Sequence, residues 1–288
     1  MSGYRISPPR IFGNAARSPK PDQGTSSVDA FRQSGFLIGE EINSLLIGLN
    51  LESSIASIFS GAKYRNHTVA SLLLNWSRSW LARLAALHAL ENGNYSATFP
   101  LIRASIDHVA TQHGLLQSDL FEWNQWLETE GIYNDDQSHA LSLGIGHFRP
   151  GEFIASEPDL RLIYRIASDF TMPHFGTTLL VAGGESGPDR IAVTFADRDF
   201  NLAFAELTIG WLLEIGVFSF RLLHNFKDLL DHSDNGLVEK WIEEATVLKN
   251  DSQKCSLAYN QGSYLIENWR RTPTARPRKI IIRLQSDE

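Results

Sequence analysis

The sequence predicts an all-α protein, a multi-helix bundle with a small β-hairpin inserted at about residues 181–196. Three observations lead there. Apolar residues recur at helical spacing over most of the chain from Val28 to residue 270. Glycine, proline and capping residues interrupt that pattern at intervals of one helix. One stretch departs from it, where Gly183-Gly184 and Gly187-Pro188 precede the alternating run RIAVTF. The expected organisation is a disordered tail over 1–27, a helical domain over 28–270, and a basic tail over 271–288 that offers a strand.

Residues 1–27 are rich in Pro, Ser, Gly and Arg and lack apolar periodicity. Helix is expected from Val28 to about Phe59, with a break near Ser34-Gly35. A second helix runs from a Thr68 cap to Glu91; it is apolar almost all round, as a central bundle helix is, and Gly93 ends it. The next starts at Ser96 or Thr98, with Pro100 tolerated in its first turn, and reaches His113-Gly114. A shorter one follows Asp119, and residues 131–155 read as loop.

Ser156-Glu157-Pro158-Asp159 opens the helix LRLIYRIASDFTM, which ends before Pro173. After the hairpin, Asp197 or Asp199 caps a long apolar helix to about Phe226. Two more helices are expected near 237–249 and 254–270, and RKIIIRL is a candidate strand beside the 190s hairpin.

The chain has 288 residues, 43% of them hydrophobic, enough to bury a core. Its single cysteine, Cys255, excludes an internal disulfide or a cysteine metal cluster. The N-terminus has no apolar secretory run, and the most apolar segment, Leu202 to Leu223, carries Glu206, Glu214 and Arg221, so it reads as a buried helix. A cytoplasmic protein with no membrane contact is the expectation. The ends are basic, four basic residues against one acidic over 1–27 and six against two over 268–288, whereas the whole chain is −7. The body is therefore acidic, which argues against a broad phosphate-binding surface; the tails remain open to RNA or another acidic partner.

No phosphate-binding glycine loop, dinucleotide fingerprint, HExxH or GxSxG occurs. Asn134-Asp135-Asp136 and Asp231-His232-Ser233-Asp234 have the composition of turns. Polar residues do interrupt two apolar helix faces. In PLIRASIDHVATQH, Arg103 and Asp107 stand at i and i+4 and are expected to pair, with His108 next. In LIYRIASDFTMPH, Tyr164 and Ser168 repeat that spacing, Asp169 adjoins them, and His174 follows the helix. One reading is a buried ion pair that fixes helix register. The other is a ligand pocket between helices formed by Arg103, Asp107, Tyr164, Ser168, Asp169 and His174.

The runs ENGNYSATFPLIRASID and YRIASDFTMPH resemble a group of uncharacterised bacterial helical proteins related to the HEPN superfamily, over roughly residues 70–225. That resemblance implies a setting in bacterial stress or phage defence. It also implies metal-independent RNA cleavage with an Arg-x(4–6)-His motif, which Arg103-Ala-Ser-Ile-Asp-His108 matches at its shortest spacing; Arg83 and His88 match it too. Arg103 would stabilise developing phosphate charge and His108 would act as general acid or base. Residues five apart diverge by about 140° on a regular helix, so the two meet only through an irregular helix start or a partner copy.

The reading is therefore a helical binding or regulatory module of unknown ligand. The first alternative is a HEPN-type ribonuclease using Arg103 and His108, and the second a metal-dependent hydrolase using Asp107, Asp169 and His174. No cofactor is expected and no metal ligands are assigned. A small ligand, RNA or a protein remains as partner, and a homodimer is open.

Overall fold

The first two helices, α1 (Ser26–Leu37) and α2 (Gly39–Ser57), are separated by a single residue. The computed structural model describes residues 14–23, 25–57, 67–116, 151–182, 186, 189–224, 235–251, 256–260, 263–269 and 278–283. The break falls at Ile38 rather than at Ser34-Gly35: its amide still reaches the Ser34 carbonyl, but its backbone (φ −130°) has left the helical region. α3 (His67–Glu91) and α4 (Tyr95–Leu116) form an antiparallel pair. Gly93 makes that reversal possible. Its φ is +68°, and a Cβ there would lie 2.1 Å from the Arg198 carbonyl oxygen, so only glycine fits. Pro100 lies within α4, one turn further in than expected.

Beyond α4 come α5 (Gly151–Ser156), α6 (Pro158–Thr171) and α7 (Phe175–Ala182). Pro158 starts α6 at its first position, after Glu157 rather than Ser156 as cap residue. Its buried stripe of Leu160, Ile163, Ile166, Ala167 and Phe170 keeps the 3.6-residue period. α6 stops at Thr171, as Pro173 requires.

α7 occupies residues where the first strand of an inserted hairpin was expected, and that hairpin is not formed. Among the described residues of 181–196 there is no strand ladder; one backbone bond, Thr194 N–H to the Ala182 carbonyl at 2.9 Å, ties the segment to the end of α7. RIAVTF has strand composition, but a strand exists only with a partner in register, and Val181-Ala182 completes a helix instead.

α8 (Leu202–His224) is the centre of the bundle. Its cap is Asn201, whose Oδ1 accepts from Phe204 N–H at 3.1 Å, not Asp197 or Asp199. Every residue from 211 to 220 is buried. By length and composition α8 is able to cross a membrane, but 89% of its most apolar window is covered by the bundle. An aromatic cluster joins three helices: Phe99 of α4 stacks on Phe170 of α6 at 4.2 Å, and both meet Phe204 of α8 edge-on. α9 (Asn235–Asp251) docks through Trp241, which donates to the Ser44 carbonyl at 2.7 Å and lies against Gly48, where a Cβ would sit 2.4 Å from its ring.

One ion pair is sealed in the core, and a second is covered on its acidic side only. Arg83 of α3 and Glu52 of α2 form a bidentate pair, both bonds 2.6 Å, with side chains 0% and 1% exposed, and Trp76 donates to the same carboxylate at 2.8 Å. Glu91 is held by Arg17 and by the Ser18 amide. Ala15 exchanges two bonds with the Asn50 side chain, and Arg17 lies over Phe31. Residues 14–18 are thus packed on the body, so the disorder expected over 1–27 does not describe them.

The helical body is all-α, as predicted. Downstream the expected helix over 254–270 is replaced by β1 (Ser256–Asn260) and β2 (Ser263–Trp269), joined antiparallel, with β3 (Arg278–Arg283) on the other side of β2. The RKIIIRL run is a strand, but its partner is β2 rather than the 190s segment. Asn260 pairs with Ser263, leaving two residues between the strands, the shortest hairpin connection.

Candidate functional site

α4 carries polar residues on two faces. Arg103 and Asp107, one turn apart, are half-buried and face α6; His108 turns the other way, toward α3. That divergence follows from helix geometry, since five residues advance the direction by about 140°.

On the α6 side, the Arg103 guanidinium lies 5.5 Å from the centre of the Tyr164 ring, and its Nη2 reaches the Tyr164 hydroxyl at 3.5 Å, the outer limit of a hydrogen bond. The expected Arg103–Asp107 ion pair is not formed. Spacing of i and i+4 places two residues on one face, and here the guanidinium turns to the neighbouring helix instead. Arg103 makes no ion pair among the described residues, and its buried Nε has no hydrogen-bond partner. Ser168, one turn along α6 from Tyr164, likewise has a buried hydroxyl without a partner. Burial pushes the Asp107 carboxyl above its ordinary value, and the Arg103 charge and the Tyr164 hydroxyl only partly offset that.

No hydrogen bond or ion pair joins Asp169 or His174 to Arg103, Asp107 or Tyr164. His174 is exposed, and its Nδ1 accepts from Gly176 N–H at 3.2 Å. It therefore caps the start of α7 rather than the end of α6, where it was expected. It makes no hydrogen bond or ion pair with Arg103, Asp107 or Tyr164. Its electrostatic partner is Asp169, whose carboxyl is raised by burial and drawn back by Arg165 and His174. Among the described residues no three His, Cys, Asp or Glu side chains come together as metal ligands, so Asp107, Asp169 and His174 do not form a metal centre here.

The α3 side of α4 holds a polar seam that sequence reasoning missed. Ser79 donates to the Ser105 carbonyl at 3.3 Å, and one turn on His108 Nδ1 meets Asn75 Oδ1 at 2.9 Å. The Asn75 amide nitrogen is already committed to the Ser71 carbonyl, so Oδ1 accepts and His108 Nδ1 carries the proton. Burial, with the Arg78 charge adding to it, lowers the His108 pKa to about 4. At neutral pH the imidazole is uncharged. Gln112, a further turn along, is fully buried with neither amide atom hydrogen-bonded. The signal for this seam was present in Ser71, Asn75 and Ser79, spaced by four, opposite Ser105, His108 and Gln112.

Arg103 and His108 therefore do not share a site within one chain. The second Arg-x4-His match is structural on both sides, because Arg83 is in the buried pair with Glu52 and His88 Nε2 meets the Ala16 carbonyl at 2.8 Å. No protein-family model, curated protein or solved structure matches the chain, and the resemblance to HEPN-related proteins rests on its short motifs.

Proposed function

We propose that this protein is a helical binding module whose site is the α4–α6 seam and whose ligand carries an oxoanion, a carboxylate or a phosphate group. The observation that carries this reading is the half-buried Arg103 guanidinium, which makes no direct ion pair among the described residues and whose buried Nε has no hydrogen-bond partner. A charge withdrawn from water is costly unless paired. The planar guanidinium fork matches the two oxygens of a carboxylate or phosphate. The Tyr164 hydroxyl, 3.5 Å from Arg103 Nη2, and the partnerless Ser168 hydroxyl one turn along α6 would meet the neutral part of such a ligand. The resemblance to HEPN-related proteins adds bacterial stress or phage defence as the setting.

The test is thermal unfolding of the full chain in inorganic phosphate and in acetate, followed by titration calorimetry. A ligand at 100 times its Kd adds about 2.7 kcal/mol, which moves the midpoint of a body this size by roughly 5–10 °C. Arg103→Met should fold and lose that shift. If phosphate, acetate and a panel of phosphorylated and carboxylated metabolites all leave the midpoint within about 1 °C, the anion site is wrong.

A further inference from the structure

Residues 14–18 lie across α1, α2 and α3 without forming a helix or strand of their own. Only Ala15 and Ser18 among them are buried. So little apolar area is covered that the hydrophobic effect holds this segment weakly. Polar contacts hold it instead, and side chains of the helices supply them.

Asn50 of α2 reads Ala15 on both sides: its Oδ1 accepts from the Ala15 amide at 2.8 Å and its Nδ2 donates to the Ala15 carbonyl at 3.0 Å. His88 Nε2 donates to the Ala16 carbonyl at 2.8 Å. Glu91 Oε2 accepts from the Ser18 amide at 2.8 Å, and Asn92 Nδ2 donates to the Ser18 hydroxyl at 3.0 Å. Four main-chain groups between Ala15 and Ser18 are thus held by side chains of α2 and α3. Contacts to main chain give hold without demanding a particular side chain, which is how grooves bind extended peptides.

One position is read by its side chain. The Arg17 guanidinium enters a slot between α1 and the end of α3. Glu91, 0% exposed, pairs with it, the Phe31 carbonyl accepts from its Nη2 at 3.5 Å, and the Phe31 ring centre lies 4.4 Å away. Gly35 leaves the room, since a Cβ there would stand 2.9 Å from Arg17 Nη1. Glu91 is the last residue of α3, where the helix dipole disfavours an anion. A buried carboxylate at that place is matched to a cation from outside the helix.

We propose that this α1–α3 groove is a peptide-recognition site, occupied here by the chain's own residues 14–18, and that it takes an extended segment of another protein in which arginine follows two small residues and precedes a serine. None of its residues belongs to the α4–α6 seam, so the inference does not rest on the anion site. A second copy of this chain is a poor occupant. Its identical segment makes the same contacts and has to displace one tethered at an effective concentration of about 1 mM. A segment of a different protein has further contacts to gain beyond the serine, where Pro19 and Lys20 of this chain lie exposed.

The experiment cuts the full, folded chain at a site-specific protease sequence inserted between Lys20 and Pro21, which turns the segment before it into a free ligand. A fluorescent peptide of residues 14–20, NAARSPK, is then titrated by anisotropy. The cut protein should bind it with a Kd of about 100 μM or below, and the uncut chain at least about tenfold more weakly, because its own segment competes at about 1 mM. The peptide carrying Arg17→Ala, and one N-methylated at the Ala15 amide, should each lose about tenfold or more. The proposal is overturned by a cut protein without saturable binding at about 1 mM peptide, or by one that aggregates once cut, since the segment is then part of the core. It is equally overturned if either modified peptide binds as well as the original. An uncut chain that sediments as a dimer at about 100 μM, and loses that dimer in Asn50→Ala, overturns it as well by giving the groove to a second copy.

Discussion

Glu52→Ala is the most informative perturbation of the fold. The Glu52 carboxylate accepts two 2.6 Å bonds from Arg83 and a 2.8 Å bond from Trp76 Nε1, and neither charged side chain is more than 1% exposed. Removing it strands a guanidinium and an indole N–H in the core with no anion to answer them. Loss of one partner of a buried pair costs about 3–5 kcal/mol. At roughly 2–4 °C per kcal/mol for a body this size, the melting midpoint should fall by about 6–20 °C. Calorimetry or far-ultraviolet circular dichroism reads this directly. The double variant Glu52→Met, Arg83→Met separates the causes, since apolar residues of similar volume need no partner. It should recover most of the loss and leave a coupling energy of several kcal/mol in the cycle. A Glu52→Ala midpoint within about 3 °C of wild type would refute the reasoning, because the pair would then have access to water.

Three further outcomes follow from the polar faces of α4 and from the N-terminal segment. Because the Asp107 pKa is raised in the fold, its contribution to stability is complete below the ordinary value and is lost as pH rises through the folded one. Asp107→Asn should therefore melt no lower than wild type at pH 7, with any gain disappearing near pH 3, and a clear loss at pH 7 contradicts the assignment. His108 titrates the other way: with a folded pKa of about 4 against 6.5, its stabilisation is present above pH 6.5 and lost as pH falls toward 4. His108→Gln should flatten that limb of the stability curve, and an NMR titration placing the ring near pKa 6.5 would count against it. Arg17→Ala leaves Glu91, 0% exposed, without its cation. Since Arg17 itself is 35% exposed, the cost should lie toward the lower end of ~3–5 kcal/mol, and an unchanged midpoint would mean the segment 14–18 contributes nothing to the fold.

Helices were legible where periodicity and punctuation agreed. Gly93, Pro158 and Pro173 each set a boundary for a reason that needs no tertiary information, namely φ sign, a missing N–H, or restriction of the preceding residue. Strands were not legible in the same way. RIAVTF has strand composition and no ladder, whereas SLAYNQGSYLIENW pairs with itself. The usable signal was a two-residue Gln261-Gly262 spacer between β-forming runs, and helical periodicity across it was misread. Neither could the sequence reveal that residues 14–18 pack, because their anchors, Asn50 and Glu91, lie 35 and 73 or 74 positions away.

The same limit explains the candidate site. Spacing identified Arg103, Asp107, Tyr164 and Ser168 as two polar pairs on facing helices, and α4 and α6 do bring Arg103 to Tyr164. Spacing cannot say which neighbour a flexible guanidinium chooses. Within α4 an Arg103–Asp107 pair would have satisfied both charges locally and closed the seam. By turning to Tyr164, Arg103 forgoes a direct ion pair with Asp107, and the Asp107 carboxyl stays partly desolvated. Contrast Arg83, whose burial is complete and whose carboxylate is present. The core of this bundle satisfies a charge when the fold alone must hold it. The half-buried Arg103 charge at the α4–α6 seam has no such carboxylate in direct contact, and that is where the proposed ligand would bind.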